Sequence, residues 1–203
     1  MNMSNNKPES IEDNTIKNVT PPKSSFKEFA IEIAKFAVLS LIIVVPIRMY
    51  IASPFIVNGS SMEPTFETGD YIIVDQLSYE LREPRRGEVV VFRYPKHKTI
   101  FFIKRIIGLP GETININNGT VTIKNSKHKD GFKINEPYIE FPKYDNFTTT
   151  LKKDEYFVMG DNRNASMDSR VWGPLKKNLI TGRPLVRLFP LNEINSLPGE
   201  FKY

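Results

Sequence analysis

The distribution of apolar and polar positions divides the chain into three textures. Residues 1–28 are polar, rich in Asn, Ser, Glu and Lys and carrying Pro21-Pro22, which predicts a flexible tail. Residues 29–52 are dominated by Phe, Ala, Ile, Leu and Val. From residue 53 onward short β-branched and aromatic runs follow one another at 71–74, 88–92, 99–103, 113–116, 119–123, 156–159 and 184–189. Turn signals separate the earlier of these runs: Gly69-Asp70, residues 84–87, Pro95 and Pro110-Gly111. Short, closely spaced strands without long helical patterns predict a mainly β fold of sandwich or barrel type. Residues 112–155 are more polar and read as an inserted sub-region.

The apolar segment predicts a membrane anchor. Its uncharged core, residues 36–47, is shorter than the ~20 residues that span hydrocarbon. Lys35 and Arg48 can snorkel to opposite interfaces, which widens the span to residues 31–51. Lys7, Lys17, Lys23 and Lys27 precede it and favour a cytoplasmic tail with the bulk of the chain outside. Two other readings stand beside the anchor. A signal peptide would have an unusually long polar lead, and a buried core helix also suits an apolar run of this length. The organisation read from the sequence is therefore a tail at 1–28, an anchor at 29–52 and an extracytoplasmic domain at 53–203, in a single-pass cell-membrane protein.

Composition narrows the chemistry. The chain has no cysteine, which removes disulfides, thiolate metal sites and thiol nucleophiles together. Its two histidines, His97 and His128, sit in polar, lysine-rich stretches that read as solvated loops, so catalysis is expected to run without histidine. The net charge of +5 is spread along the chain without a basic block interleaved with aromatics, so no nucleic-acid partner is expected.

Three segments carry candidate chemistry: Gly59-Ser60-Ser61-Met62-Glu63-Pro64-Thr65, Lys104-Arg105-Ile106-Ile107-Gly108-Leu109-Pro110-Gly111, and Gly160-Asp161-Asn162-Arg163-Asn164-Ala165-Ser166-Met167-Asp168-Ser169-Arg170. Lys104 stands among apolar neighbours, and strand alternation puts it with Phe102 on one face and Ile103 with Arg105 on the other. Such a lysine either snorkels outward or is desolvated, and desolvation disfavours the ammonium. Lowering a lysine from ~10.4 to ~8 costs about 3 kcal/mol, a reasonable penalty where a neutral amine serves as base. Serine is a poor nucleophile without an adjacent base, and Ser–Lys pairs are one solution. Without a family to guide it, the residue pattern favours Ser61 as a turn or cap residue over a catalytic pair with Lys104.

Taken together, the three segments resemble the sequence boxes of type I signal peptidases, in the same order and behind an apolar segment, over roughly residues 30–190. The resemblance is to the compact Gram-positive form. It implies a signal-peptidase/LexA-like β-fold with one N-terminal transmembrane helix, acting on exported preproteins at a lipid bilayer as a monomer, with no cofactor or metal. Residue by residue, it implies Ser61 as nucleophile, Lys104 as general base and Ser166 as the hydroxyl that orients the lysine. Asp168 and Arg170 match a supporting ion pair, and Arg105 a partner of the lysine box. Val57, Phe66, Phe102 and Ile103 match the substrate pockets, which in this family prefer small residues before the cut. An extended substrate is expected to pair beside the Lys104 strand. The Ser61 N–H is expected to donate to the oxyanion. Gly59 stands where some family members have a serine as second donor, which leaves that donor unassigned.

Other functions fit less well. A LexA-type self-cleaving repressor would need an N-terminal DNA-binding domain, for which residues 1–28 are too short and polar. Ser24-Ser25-Phe26-Lys27 matches the Ser-x-x-Lys of penicillin-binding proteins, but it lies in the tail without companion motifs. A non-catalytic membrane-tethered binding domain is expected to have lost Ser61 or Lys104, and both are present.

Overall fold

The structure, a computed structural model, describes residues 26–46 and 52–203. The chain divides into two compact units, residues 1–42 and 43–203. Helix α1, Phe26–Pro46, covers most of the expected anchor, with Glu28 in its first turn at the favourable end of the helix dipole. Its apolar side chains, including Phe29, Phe36, Leu41 and Ile42, are exposed.

Three features of the expected anchor are corrected. The helix begins at Phe26, inside the stretch read as polar tail, and Ala52 belongs to the first strand. No described helix is long and apolar enough to cross a membrane. The reason is visible in the sequence: Lys27, Glu28, Glu32 and Lys35 occupy the first turns and leave an uncharged run only from Phe36. Residues 47–51, Arg48 among them, lie outside the described residues, as does the tail up to residue 25.

The second unit is mainly β, as expected. Its larger sheet runs in the order β1 (Ala52–Ile56), β2 (Tyr71–Asp75), β11 (Ile180–Phe189), β3 (Val89–Tyr94), β4 (His97–Gly108), β9 (Glu155–Met159) and β10 (Leu175–Lys176), with β12 (Asn195–Ser196) paired to β11. Every neighbouring pair is antiparallel. Strand β3 explains why a continuous apolar run can be a strand. Val89 and Val91 enter one core with Val57, Met62, Phe66, Ile72 and Val74, while Val90 and Phe92 enter another with Ile106, Tyr156, Val158 and Leu175. Both faces are covered, so the period of two shows in which core a side chain joins rather than in polarity.

The polar region at 112–155 contains a second, four-stranded sheet in the order β7 (Phe132–Lys133), β6 (Thr120–Lys124), β5 (Thr113–Asn117), β8 (Phe147–Thr150). Here the alternation is plain. Ile114, Ile116, Val121 and Ile123 point into a core with Ile107, Phe157 and Met159, and Thr113, Asn115 and Thr122 face the other way. His97 begins strand β4 instead of lying in a loop, and it is exposed.

Candidate active site

The loop between β1 and β2 carries Ser61, and buried side chains fix its shape. Met62 and Phe66 are fully buried beneath it, each contributing about 1.5–3 kcal/mol of apolar burial. The Phe66 N–H donates to the Met62 carbonyl at 3.0 Å, closing one turn, and Gly69 and Val57 tie the loop ends together at 2.9 Å. Thr65 donates from Oγ1 to Asp161 Oδ2 at 2.5 Å, and the Asn162 N–H donates to the Ser61 carbonyl at 3.2 Å. Ser61 is thus pinned from below by apolar anchors and from the side by the segment after β9.

Lys104 lies in β4 opposite Val90 of β3, and only 3% of it is exposed. Its Nζ stands 2.6 Å from Ser61 Oγ and 2.8 Å from the Ile103 carbonyl oxygen, with the Phe102 ring on the same face at 5.3 Å. Burial lowers the Lys104 amine to about 8, against a smaller opposing pull from Asp168 and Asp161. A neutral amine in this position donates one N–H to Ile103 and directs its lone pair at the Ser61 hydroxyl.

The two carboxylates near Lys104 are each held by an arginine. Arg105 donates through Nε and Nη2 to Asp161 at 2.8 and 2.6 Å in a pair that is almost wholly buried. Asp168 accepts from Arg170 Nε at 2.9 Å and from Nη2 at 2.8 Å. Burial alone would raise the Asp168 carboxyl, but Arg170, the Ser166 hydroxyl and the Gly160 N–H hold it below its ordinary value. A cleft of about 360 Å³ opens at the dyad, walled by Ile56, Val57, Ser60, Phe102, Ile103 and Met167 among others.

Residues 30–189 match the family described as signal peptidase, peptidase S26. The chain belongs to the signal peptidase family. A signal peptidase I of Leptolyngbya laminosa is 37% identical over 78% of this chain and 79% of that protein. A signal peptidase I of Bacillus amyloliquefaciens is 35% identical over 85% of this chain and 95% of its own. A crystal structure of a signal peptidase I from Enterococcus faecalis covers 50% of this chain and 97% of that chain at 29% identity, with a TM-score of 0.44. The activity is that of a serine peptidase that removes signal peptides.

Within this signal peptidase, the residues singled out from sequence fall into three groups. Ser61, Lys104 and the cleft residues Val57, Phe102 and Ile103 converge on one site. Asp168 pairs with Arg170 as expected, and the partner of Arg105 is Asp161, which the sequence reading had left unassigned. Phe66 and Ser166 take other roles. Phe66 is fully buried under the Ser61 loop and lines no part of the cleft, because its turn faces the core. Ser166 accepts from the Gly160 N–H at 3.1 Å, and among the described residues no hydrogen bond joins it to Lys104. The Ile103 carbonyl fills the orienting position expected of Ser166.

Gly160 was missed as a site residue. A Cβ there would overlap the Ser61 carbonyl oxygen and the Ser166 hydroxyl, so only glycine lets the segment after β9 approach Ser61 this closely. The signal for it was the glycine opening the third segment. At Gly59 the N–H donates to Thr68 Oγ1 at 3.0 Å, so neither a side chain nor that amide is directed at an oxyanion.

Proposed function

We propose that signal-peptide cleavage in this chain runs on a Ser61–Lys104 dyad. The observation that carries the reading is the buried Lys104 amine, 2.6 Å from Ser61 Oγ and lowered to about 8. In the first step the Ser61 hydroxyl gives its proton to the neutral Nζ as Oγ attacks the scissile carbonyl. The Ser61 N–H donates to the developing oxyanion. Collapse expels the amine of the mature protein, which takes the proton from the Lys104 ammonium. Water then attacks the acyl-enzyme, with Lys104 again accepting a proton, and releases the signal peptide with a free carboxylate.

The substrate lies extended in the cleft with small side chains against Val57, Phe102 and Ile103. It pairs with the first part of β4, whose pairing with β9 begins only at Arg105. Asp168, Arg170, Arg105 and Ser166 support the site without touching the reacting atoms.

Helix α1, with the residues that follow it, anchors the catalytic domain at the extracytoplasmic face of the cell membrane. From Phe36 to Val45 the helix is uncharged and its apolar side chains are exposed, and such a surface needs a cover, which lipid supplies. Ser61→Ala and Lys104→Ala are each expected to lower preprotein cleavage in detergent by about a thousandfold or more in protein that remains folded. Substantial cleavage by either variant would sink the dyad. Release of the full chain from membranes by alkaline carbonate would sink the anchor and leave the dyad standing.

A further inference from the structure

The Arg105 guanidinium is caged on every side. Besides the two bonds to Asp161, its Nη1 donates to the Gly87 carbonyl at 2.8 Å and to the Gly199 carbonyl, and Nη2 lies 3.4 Å from Thr65 Oγ1. The Tyr138 ring covers its face, 4.0 Å from ring centroid to guanidinium carbon. Tyr138 is itself held from outside. Phe201 packs edge-on against it at 5.3 Å, and its hydroxyl meets that of Tyr203. Residues 199–203 thus form a strap over the buried ion pair, so close to Gly87 that a side chain there would overlap the Phe201 backbone.

We propose that this strap, together with Tyr138, is a positioning element for the reaction: it keeps the Arg105 guanidinium seated on Asp161, so that the Asp161 carboxylate does not stabilise a charged Lys104. The inference rests on the Ser61–Lys104 reading. A base must be neutral before it can accept a proton, and an uncompensated buried carboxylate nearby favours its ammonium form. Asp161 and Asp168 are the carboxylates that act on Lys104. Asp168 has Arg170, which also reaches Asp145 at 3.0 Å. Asp161 has Arg105, and Arg105 depends on the strap for one carbonyl and, through Tyr138, for the cover of its face. Nearby, the Tyr138 hydroxyl donates to Glu136 at 2.9 Å, Glu136 pairs with Arg163, and Arg163 Nε donates to the Gly160 carbonyl at 3.0 Å. These charges are matched within the same shell, which leaves Arg105 as the group the strap controls. From the nucleophile loop Lys104 meets only the uncharged Ser61 hydroxyl.

The test is the pH dependence of preprotein cleavage by the full chain in detergent, with thermal melting measured alongside. Tyr138→Leu removes the ring face, Tyr138→Phe keeps it, and Tyr203→Leu loosens the strap from its outer end. In Tyr138→Leu the acidic limb is expected to move up by about half a unit, lowering the rate at neutral pH about threefold and restoring it at alkaline pH. Tyr138→Phe should return most of the wild-type profile, and Tyr203→Leu should shift the limb less, in the same direction. A limb that stays in place in Tyr138→Leu, with only a lower melting temperature or a uniform loss of rate, overturns the proposal. If Tyr138→Leu does not fold, an unshifted limb in Tyr203→Leu overturns it. Lys104→Ala separates the two readings. Activity in that variant refutes the dyad, whereas its inactivity beside an unmoved Tyr138→Leu limb refutes the strap alone.

Discussion

The two sheets of the catalytic unit are made from the same kinds of residue and use their interiors differently. The four-stranded sheet buries Ile114, Ile116, Val121 and Ile123 against Phe157 and Met159, and presents threonine and asparagine outward. The larger sheet and the segment after its strand β9 bury Lys104, Arg105, Asp161 and Asp168 within a few residues of hydrophobic cores. Burying charge is unfavourable unless it is paired or neutralised. In the larger sheet each carboxylate has an arginine, and the one amine is lowered toward neutrality by its burial. The smaller sheet spans no such groups and is a packing element. Chemistry and packing have been separated onto different sheets of one unit.

That separation can be broken at several points. Gly160→Ala should have the largest effect of the substitutions outside the dyad. The new methyl group must push the segment after β9 away from Ser61, and a displacement of about 1 Å at a reacting group can lower the rate about a hundredfold. A Gly160→Ala protein that retained most of its kcat would show that this segment can retreat without moving the nucleophile.

Ile123→Ala tests the opposite side of the comparison. Ile123 is fully buried, so its truncation should lower unfolding free energy by about 2–5 kcal/mol in urea titrations. Activity per folded molecule should remain near that of wild type, and a parallel loss of kcat would mean that the two sheets are coupled.

The pH dependence sharpens the electrostatic half. With Lys104 at about 8 in the folded chain, the active neutral amine is lost as pH falls through that value, so the cleavage rate should rise through a midpoint near 8. The same depression makes the unfolded chain bind more protons between about 8 and its ordinary 10.5, so stability should rise with pH across that window. Lys104→Met, which cannot titrate, should remove that rise and be more stable at neutral pH by up to about 3 kcal/mol. A Lys104→Met protein with the wild-type pH dependence of stability would reassign the effect to another group. The smallest change is expected from Thr122→Ala on the outward face of the small sheet, within about 0.5 kcal/mol of wild type by the same titration.

Much of this was legible before any coordinates. Strands β2, β5, β6 and β9 lie where runs of β-branched and aromatic residues predict them, because each is bounded by turn residues. Strands β7, β8, β10 and β12 were not visible, since two to four residues carry too little pattern to stand out from loop. Strand β1 is not among the predicted strands: Ala52 falls in the expected anchor, and Pro54 interrupts the short run that follows.

The amino-acid sequence by itself determined the mainly β character, the scarcity of histidine and cysteine that leaves a lysine as the candidate base, and the pairing of Ser61 with Lys104 by resemblance. These depend on residue type and order, which folding does not alter. Only the tertiary structure decided that Phe66 supports the loop from the core, that the Ile103 carbonyl and not Ser166 holds the amine, and that Gly160 must be small. Each of these depends on which atoms meet across elements distant in the chain, and no local pattern records such a meeting. Lys104 joins the two levels. Its apolar neighbours in β4 were plain in the sequence, but the depth of burial that lowers its amine comes from strands and loops brought together by the fold.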